Sequence, residues 1–204
     1  MKNKTKFYLI VLFLFIIITI FFLIDPENNV NDLNTNLQTD TIVVPVDAYI
    51  IKYNDQELSS TRNKENILDV FENVNSLWEQ ANIYFEIIKI ENVTISDVNY
   101  YDDLNSILSY MTRSENYDPR KINAYFAESL QGPNGIAFPG SRVMIADVTS
   151  VYDFRATSHE IGHVLGLSHV GPVSRLMARG VNGFGLSQNE INIARSNALR
   201  LFTQ

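Results

Sequence analysis

Between positions 159 and 169 the chain reads His159-Glu160-Ile161-Gly162-His163-Val164-Leu165-Gly166-Leu167-Ser168-His169, and these are all of its three histidines. On a helix, residues four apart share a face, so His159 and His163 can aim ring nitrogens at one point. The stretch therefore has to be helical as far as His163. Gly166 can take the left-handed conformation that ends a helix, and this turns the chain so that His169 approaches the same point. Three imidazoles so arranged form a ligand set for zinc, which takes nitrogen donors at about 2.0 to 2.1 Å and keeps a fourth position for water. Glu160, beside the first ligand, is placed to act as a general base toward that water. A bare H-E-x-x-H can arise by chance on a polar helix face. A glycine and a third histidine in register, with no histidine elsewhere, do not fit chance, and a purely structural zinc would lack its fourth ligand.

Around this stretch, 204 residues suffice for one domain with a real core, of one or two lobes. There is no cysteine, which excludes disulfides, thiolate ligands and a cysteine that masks the metal from a pro-segment. Phe7 to Ile24 is uncharged and almost wholly apolar, long enough as a helix to cover about 27 Å. Lys2, Lys4 and Lys6 precede it and Asp25 follows, so the positive-inside bias puts the remainder outside the cytoplasm. Ile20-Phe21-Phe22-Leu23-Ile24 offers no small residues for signal cleavage, which favours an uncleaved single-pass anchor over a secreted product. Without those three lysines the chain keeps 13 basic against 23 acidic residues, and nucleic acid is excluded as a partner. The expected organisation is an anchor over residues 1–24, a polar linker over 25–40 and a globular domain over 41–204.

Within that domain the pattern predicts a strand from Thr41 to Lys52, then a helix whose apolar stripe is Ile67, Phe71, Val74, Trp78 and Ala81. A second strand runs from Ile83 to Val93. Leu104, Ile107, Leu108 and Met111 suggest a shorter helix between Ser96 and Pro119, and Lys121 to Leu130 reads as a third strand. Ile136-Ala137-Phe138, closed by Pro139-Gly140, suits an edge strand, and Arg142 to Val148 gives another strand before the histidine helix. Ser187-Gln188-Asn189-Glu190 fits a capping box for a last helix with Ile191, Ala194, Ala198 and Phe202 buried. Strands alternating with helices imply an α+β domain, its first lobe α/β-like, around a mixed sheet.

At the histidine stretch the chain resembles the metzincin metallopeptidases, and the resemblance extends from about Thr41 to the C-terminus. It implies a twisted mixed sheet with an antiparallel edge strand, an active-site helix, and a small C-terminal lobe with a methionine turn. It further implies zinc-dependent hydrolysis of peptide bonds, with Glu160 as base and His159, His163 and His169 as ligands. Met177, separated from His169 by seven residues and preceded by Leu176, has the matrixin spacing for the methionine beneath the metal. Gly135, Ile136, Ala137 and Phe138 look like the family's strand that binds an extended peptide; on the residues alone they are an ordinary edge strand. The loop from Arg179 to Phe184 corresponds to the pocket-shaping loop, with Val181 or Phe184 as lining. Departures are Val170 and Gly171 after the third ligand, the lack of an Asp-Pro in that turn, and the lack of a tyrosine ligand, a second zinc site or a cysteine pro-segment. Asp147 and Asp153 read as solvated carboxylates or a helix N-terminal charge ahead of a calcium site. The expected partners are protein or peptide substrates and, through the first helix, a membrane. The alternative is a catalytically idle zinc-binding or adhesion domain.

Overall fold

A computed structural model describes residues 40–53, 59–95 and 117–203. The proposed anchor, most of the linker, and the expected helix at Leu104 to Met111 lie outside these residues. Among the described residues no helix is long and apolar enough to cross a membrane. The compact unit begins at Thr41.

Five strands form one sheet in the order β2-β1-β3-β5-β4: β1 (Ile42–Tyr53), β2 (Ile83–Ile95), β3 (Ile122–Ala127), β4 (Gly135–Phe138) and β5 (Arg142–Ala146). β1 pairs in parallel with β2 and β3, and β3 in parallel with β5; only β4 runs antiparallel, on the outer edge of β5. A central parallel strand is covered on both faces, so it has to be apolar on both. β1 obeys this: Val44, Val46, Ala48 and Ile50 enter one core cluster, and Tyr49 and Ile51 the other. Pro45 precedes the stretch of β1 paired with β3, which starts at Val46, so its missing N–H falls where β1 has a single described neighbour.

Three helices supply the first of these clusters: α1 (Lys64–Trp78), α2 (Asp153–Val164) and α3 (Gln188–Phe202). α1 starts at a reciprocal cap between Asn63 and Asn66 and buries Ile67, Phe71, Val74 and Trp78. A short 3-10 turn, Glu79–Ala81, then ends at Asn82 in the left-handed conformation. The Ser187 and Glu190 capping box is present on α3, and Ile191, Ala194, Ala198 and Phe202 are its buried stripe. Arg175 also pairs with Glu190, which ties the loop before α3 to its first turn.

Two strands are shorter than their sequence pattern suggests. The backbone N–H of Asp147 bonds to the Ala127 carbonyl, and its carboxylate turns inward to accept from Ser60 and Thr61 and to pair with Arg62 at 3.3 Å. The backbone bond is the last rung of the β3–β5 ladder, and beyond it Val148 points into solvent at 85% exposure. Arg62 reaches Asp153 as well, at 2.8 Å. Asp147 is therefore a buried ion-pair partner, not a solvated carboxylate. Asp153 combines a place in the first turn of α2 with a bond to the same guanidinium.

Candidate metal centre

α2 carries the first two histidines and ends as their spacing requires. Gly166 has φ +83°, its N–H bonds to the His163 carbonyl at 3.0 Å, and the N–H of Leu167 reaches back to Gly162 at 2.9 Å. This bonding pattern satisfies the last carbonyls of a helix while reversing the chain. A Cβ at Gly166 would lie 2.5 Å from the Asn197 amide nitrogen, and that nitrogen donates to the Leu165 carbonyl at 3.0 Å. Asn197, on α3, thus clamps the turn between the second and third histidines. The glycine is required for both its dihedral angle and its lack of a side chain.

The three rings converge. Nε2 of His169 lies 3.1 Å from Nε2 of His159 and 3.2 Å from Nε2 of His163, while His159 is buried and His169 exposed. Nitrogens at about 2.05 Å from a tetrahedral zinc would stand about 3.3 Å apart, so the spacing fits the ion. The outer nitrogens support it. Nδ1–H of His159 donates to the Leu176 carbonyl and Nδ1–H of His163 to the Leu167 carbonyl, both at 2.8 Å, and this tautomer leaves each Nε2 lone pair toward the centre. Burial, partly offset by the Leu176 carbonyl, holds His159 at about 4, which keeps it neutral as a ligand must be. At His169 the exposed Arg179 donates Nε–H to Nδ1 at 3.1 Å. A neutral ring bound to metal through Nε2 carries its proton on Nδ1, so this bond from Arg179 and ligation through Nε2 exclude each other.

Beneath the centre lies Met177, fully buried, its Sδ only 2.6 Å from where a Cβ on Gly162 would stand. A glycine inside a helix lowers helix propensity and often marks a close approach, and here it admits the methionine. The turn holding Met177 closes through Val170 N–H to the Met177 carbonyl at 3.1 Å, and Arg155 fixes it from α2. That buried guanidinium donates to the carbonyls of Leu176 (2.6 Å), Ala178 and Gly183. The Leu176 carbonyl thus serves both Arg155 and His159. Arg155 and Asn197 gave no sequence signal, because each acts on backbone carbonyls far along the chain.

Glu160 points from α2 toward β4. A Cβ on Gly135 would stand 2.7 Å from Glu160 Cγ, so the glycine of the edge strand makes the space that the carboxylate occupies. Burial pushes Glu160 up to about 7, against the opposing pull of the Ala137 N–H, which donates to its carboxylate, and of Arg155. The N–H of Ala146 bonds to the Asn134 carbonyl, so alternation along the antiparallel ladder turns Ile136 and Phe138 toward β5 and leaves the backbone groups of Gly135 and Ala137 on the outer edge.

Phe184 has aromatic neighbours. Its ring stacks with those of Tyr152 and Phe154, and Gln80 ties its loop to α1 by donating to the Phe184 carbonyl and accepting from Leu186 N–H. The aromatic stack at the start of α2 offers this ring more contact area than an open cleft does.

No protein-family model and no curated protein matches the chain. Solved structures do. Mature mirolysin of Tannerella forsythia, in complex with a cleaved peptide, superposes with a TM-score of 0.60 at 15% identity over 78% of this chain and 92% of that one. Archaemetzincin of Methanopyrus kandleri gives 0.54 at 11% identity over 78% and 97%. Metalloproteinase-II of Bacteroides fragilis gives 0.52 at 16% identity over 78% and 54%. At such identities the likeness is one of fold. The chain therefore has the fold of the metzincin-type zinc metallopeptidases, and within it His159, His163 and His169 form a cluster of nitrogen donors that could hold a metal ion.

Proposed function

We propose that this protein is a zinc endopeptidase in which Glu160 is the general base. The observation that carries the reading is the position of that carboxylate, buried between the ligand helix and the edge strand, one residue from His159. Zinc in this site supplies Lewis acidity, which acidifies water and polarises a carbonyl. The three histidines hold the ion as neutral donors and leave one side open. A base works best with a proton affinity near the working pH; burial brings Glu160 to about 7 in the metal-free chain, and a cation bound beside it would draw that lower. Its carboxylate takes the proton of the attacking water and passes it to the leaving amine, so no covalent enzyme intermediate is needed. The outward backbone groups of Gly135 and the outward carbonyl of Ala137 suit an extended peptide added as a further strand, with Ile136 and Phe138 paired inward to keep the edge straight. The lysines before the apolar stretch at Phe7 to Ile24 support anchoring in a membrane with the domain outside the cytoplasm.

Glu160→Ala tests the role of the base. Hydrolysis of a diverse peptide library should fall by about 10²-fold to 10⁴-fold while zinc stays bound in equal amount. Retained activity would remove Glu160 from the mechanism, and a wild-type chain that binds zinc but cleaves no peptide would favour the idle domain.

A further inference from the structure

A cavity of about 390 Å³ opens beside the metal centre, between the far end of β4 and the end of α3. Its wall includes Ala137, Phe138, Ser141, His163, Val164 and Arg200. Resting on the peptidase reading, we propose that this cavity is a substrate subsite for an acidic side chain and that Arg200 is its specificity-determining residue.

Charge and placement support this. The chain carries 23 acidic against 16 basic residues, yet among the described residues no carboxylate lines this cavity and one guanidinium does. A second cavity, at the start of α1, has Asp69, Asp147 and Asp153 in its wall, and there the guanidinium of Arg62 is already paired with two of them. Among the described residues no carboxylate pairs with Arg200. Its Nη2 donates to the neutral side-chain oxygen of Asn197 at 2.9 Å, so its charge is not cancelled. Asn197 in turn holds the turn at Leu165 and Gly166, which links the guanidinium to the segment between the second and third histidines. A planar guanidinium binds a carboxylate through two parallel N–H donors, and the cavity has ample room for a glutamate side chain.

Position follows from strand geometry. Gly135 abuts Glu160, and Phe138 lies three residues on, about 10 Å at 3.3 Å per residue. A peptide paired with the edge would thus place its second or third residue from the scissile bond at the cavity. For an antiparallel peptide, the commoner pairing, this is the N-terminal side.

The test takes one peptide cleaved by the full chain and varies the second and third residues before the cut among Glu, Gln and Lys. At about 0.1 M salt, the wild type should favour Glu over Gln by about fivefold to tenfold in kcat/KM. The ratio should fall to about one in Arg200→Ala, and Arg200→Glu should prefer Lys. The same peptides are titrated against each variant by fluorescence anisotropy, which needs no cleavage. If binding follows charge as described while no peptide is cleaved, the subsite stands and the peptidase reading falls. If the Glu-to-Gln ratio is near one in the wild type, or unchanged by either substitution, in cleavage and in binding alike, the subsite is overturned.

Discussion

The contact between Gly162 and Met177 makes a quantitative prediction about how closely the ligand helix rests on the turn beneath it. A Cβ on Gly162 would meet Met177 Sδ at 2.6 Å, Met177 Cε at 3.3 Å and Leu167 Cδ1 at 3.6 Å. The first distance lies about 1 Å inside ordinary contact, and the methionine is fully buried, so it cannot swing into solvent. Overpacking of this kind costs about 1 to 3 kcal/mol, while exchanging a mid-helix glycine for alanine returns about 1 kcal/mol of helix propensity. Gly162→Ala should therefore destabilise the metal-free chain by about 1 kcal/mol. Met177→Ala alone should cost about 2 to 5 kcal/mol by leaving a cavity. In that background the added methyl group fills space, so Gly162→Ala should stabilise by about 1 kcal/mol, a coupling of about 2 kcal/mol. Urea unfolding followed by the fluorescence of Trp78, the only tryptophan and a fully buried one, measures all four proteins. Additive effects within about 0.5 kcal/mol would refute the packing argument.

Two further perturbations probe the surroundings of the ligands. In the metal-free chain, unfolded His159 takes up a proton as pH falls below 6.5, whereas the folded form resists until about 4, so this group lowers stability across that window. Glu160 acts in reverse: its folded form gains a proton near 7 and its unfolded form only near 4.5, which raises stability as pH falls. Each contributes about 3 kcal/mol between pH 6.5 and 4.5, and the two offset each other. Glu160→Gln should expose the histidine contribution, so that its stability drops by about 3 kcal/mol relative to wild type across that window in urea melts; parallel curves would contradict the assignment. Arg155→Met should loosen the methionine turn and the carbonyl that orients His159, weakening zinc by about 10-fold to 100-fold in a competitive chelator titration. Unchanged affinity would show that Leu176 holds its place without the guanidinium.

Much of the centre was legible because its chemistry is local. The ligand spacing follows from helical periodicity, Gly166 from the need for a positive φ, and Ser187 from the cap that ends in Glu190. β4 was readable from the short apolar run closed by Pro139 and Gly140, and it does form the antiparallel edge above Glu160. The features that escaped are non-local. Asp147 looked like a surface carboxylate until the fold brought it to Arg62, 85 residues away in sequence. The resemblance offered Val181 or Phe184 as lining of the pocket, and the stacking of Phe184 on Phe154 at the start of α2 had no local signal. Arg155 and Asn197 escaped for a different reason, since a side chain that bonds to backbone carbonyls has no partner residue type to announce it.

Zinc-edge X-ray absorption of the purified chain, with metal content measured on the same sample, addresses the centre itself. It should show one zinc per chain with three imidazoles at about 2.0 to 2.1 Å, and His169→Ala should remove one of them. A chain that takes up no zinc, or a wild-type shell with fewer than three imidazoles, would contradict the assignment of His159, His163 and His169 as the metal site.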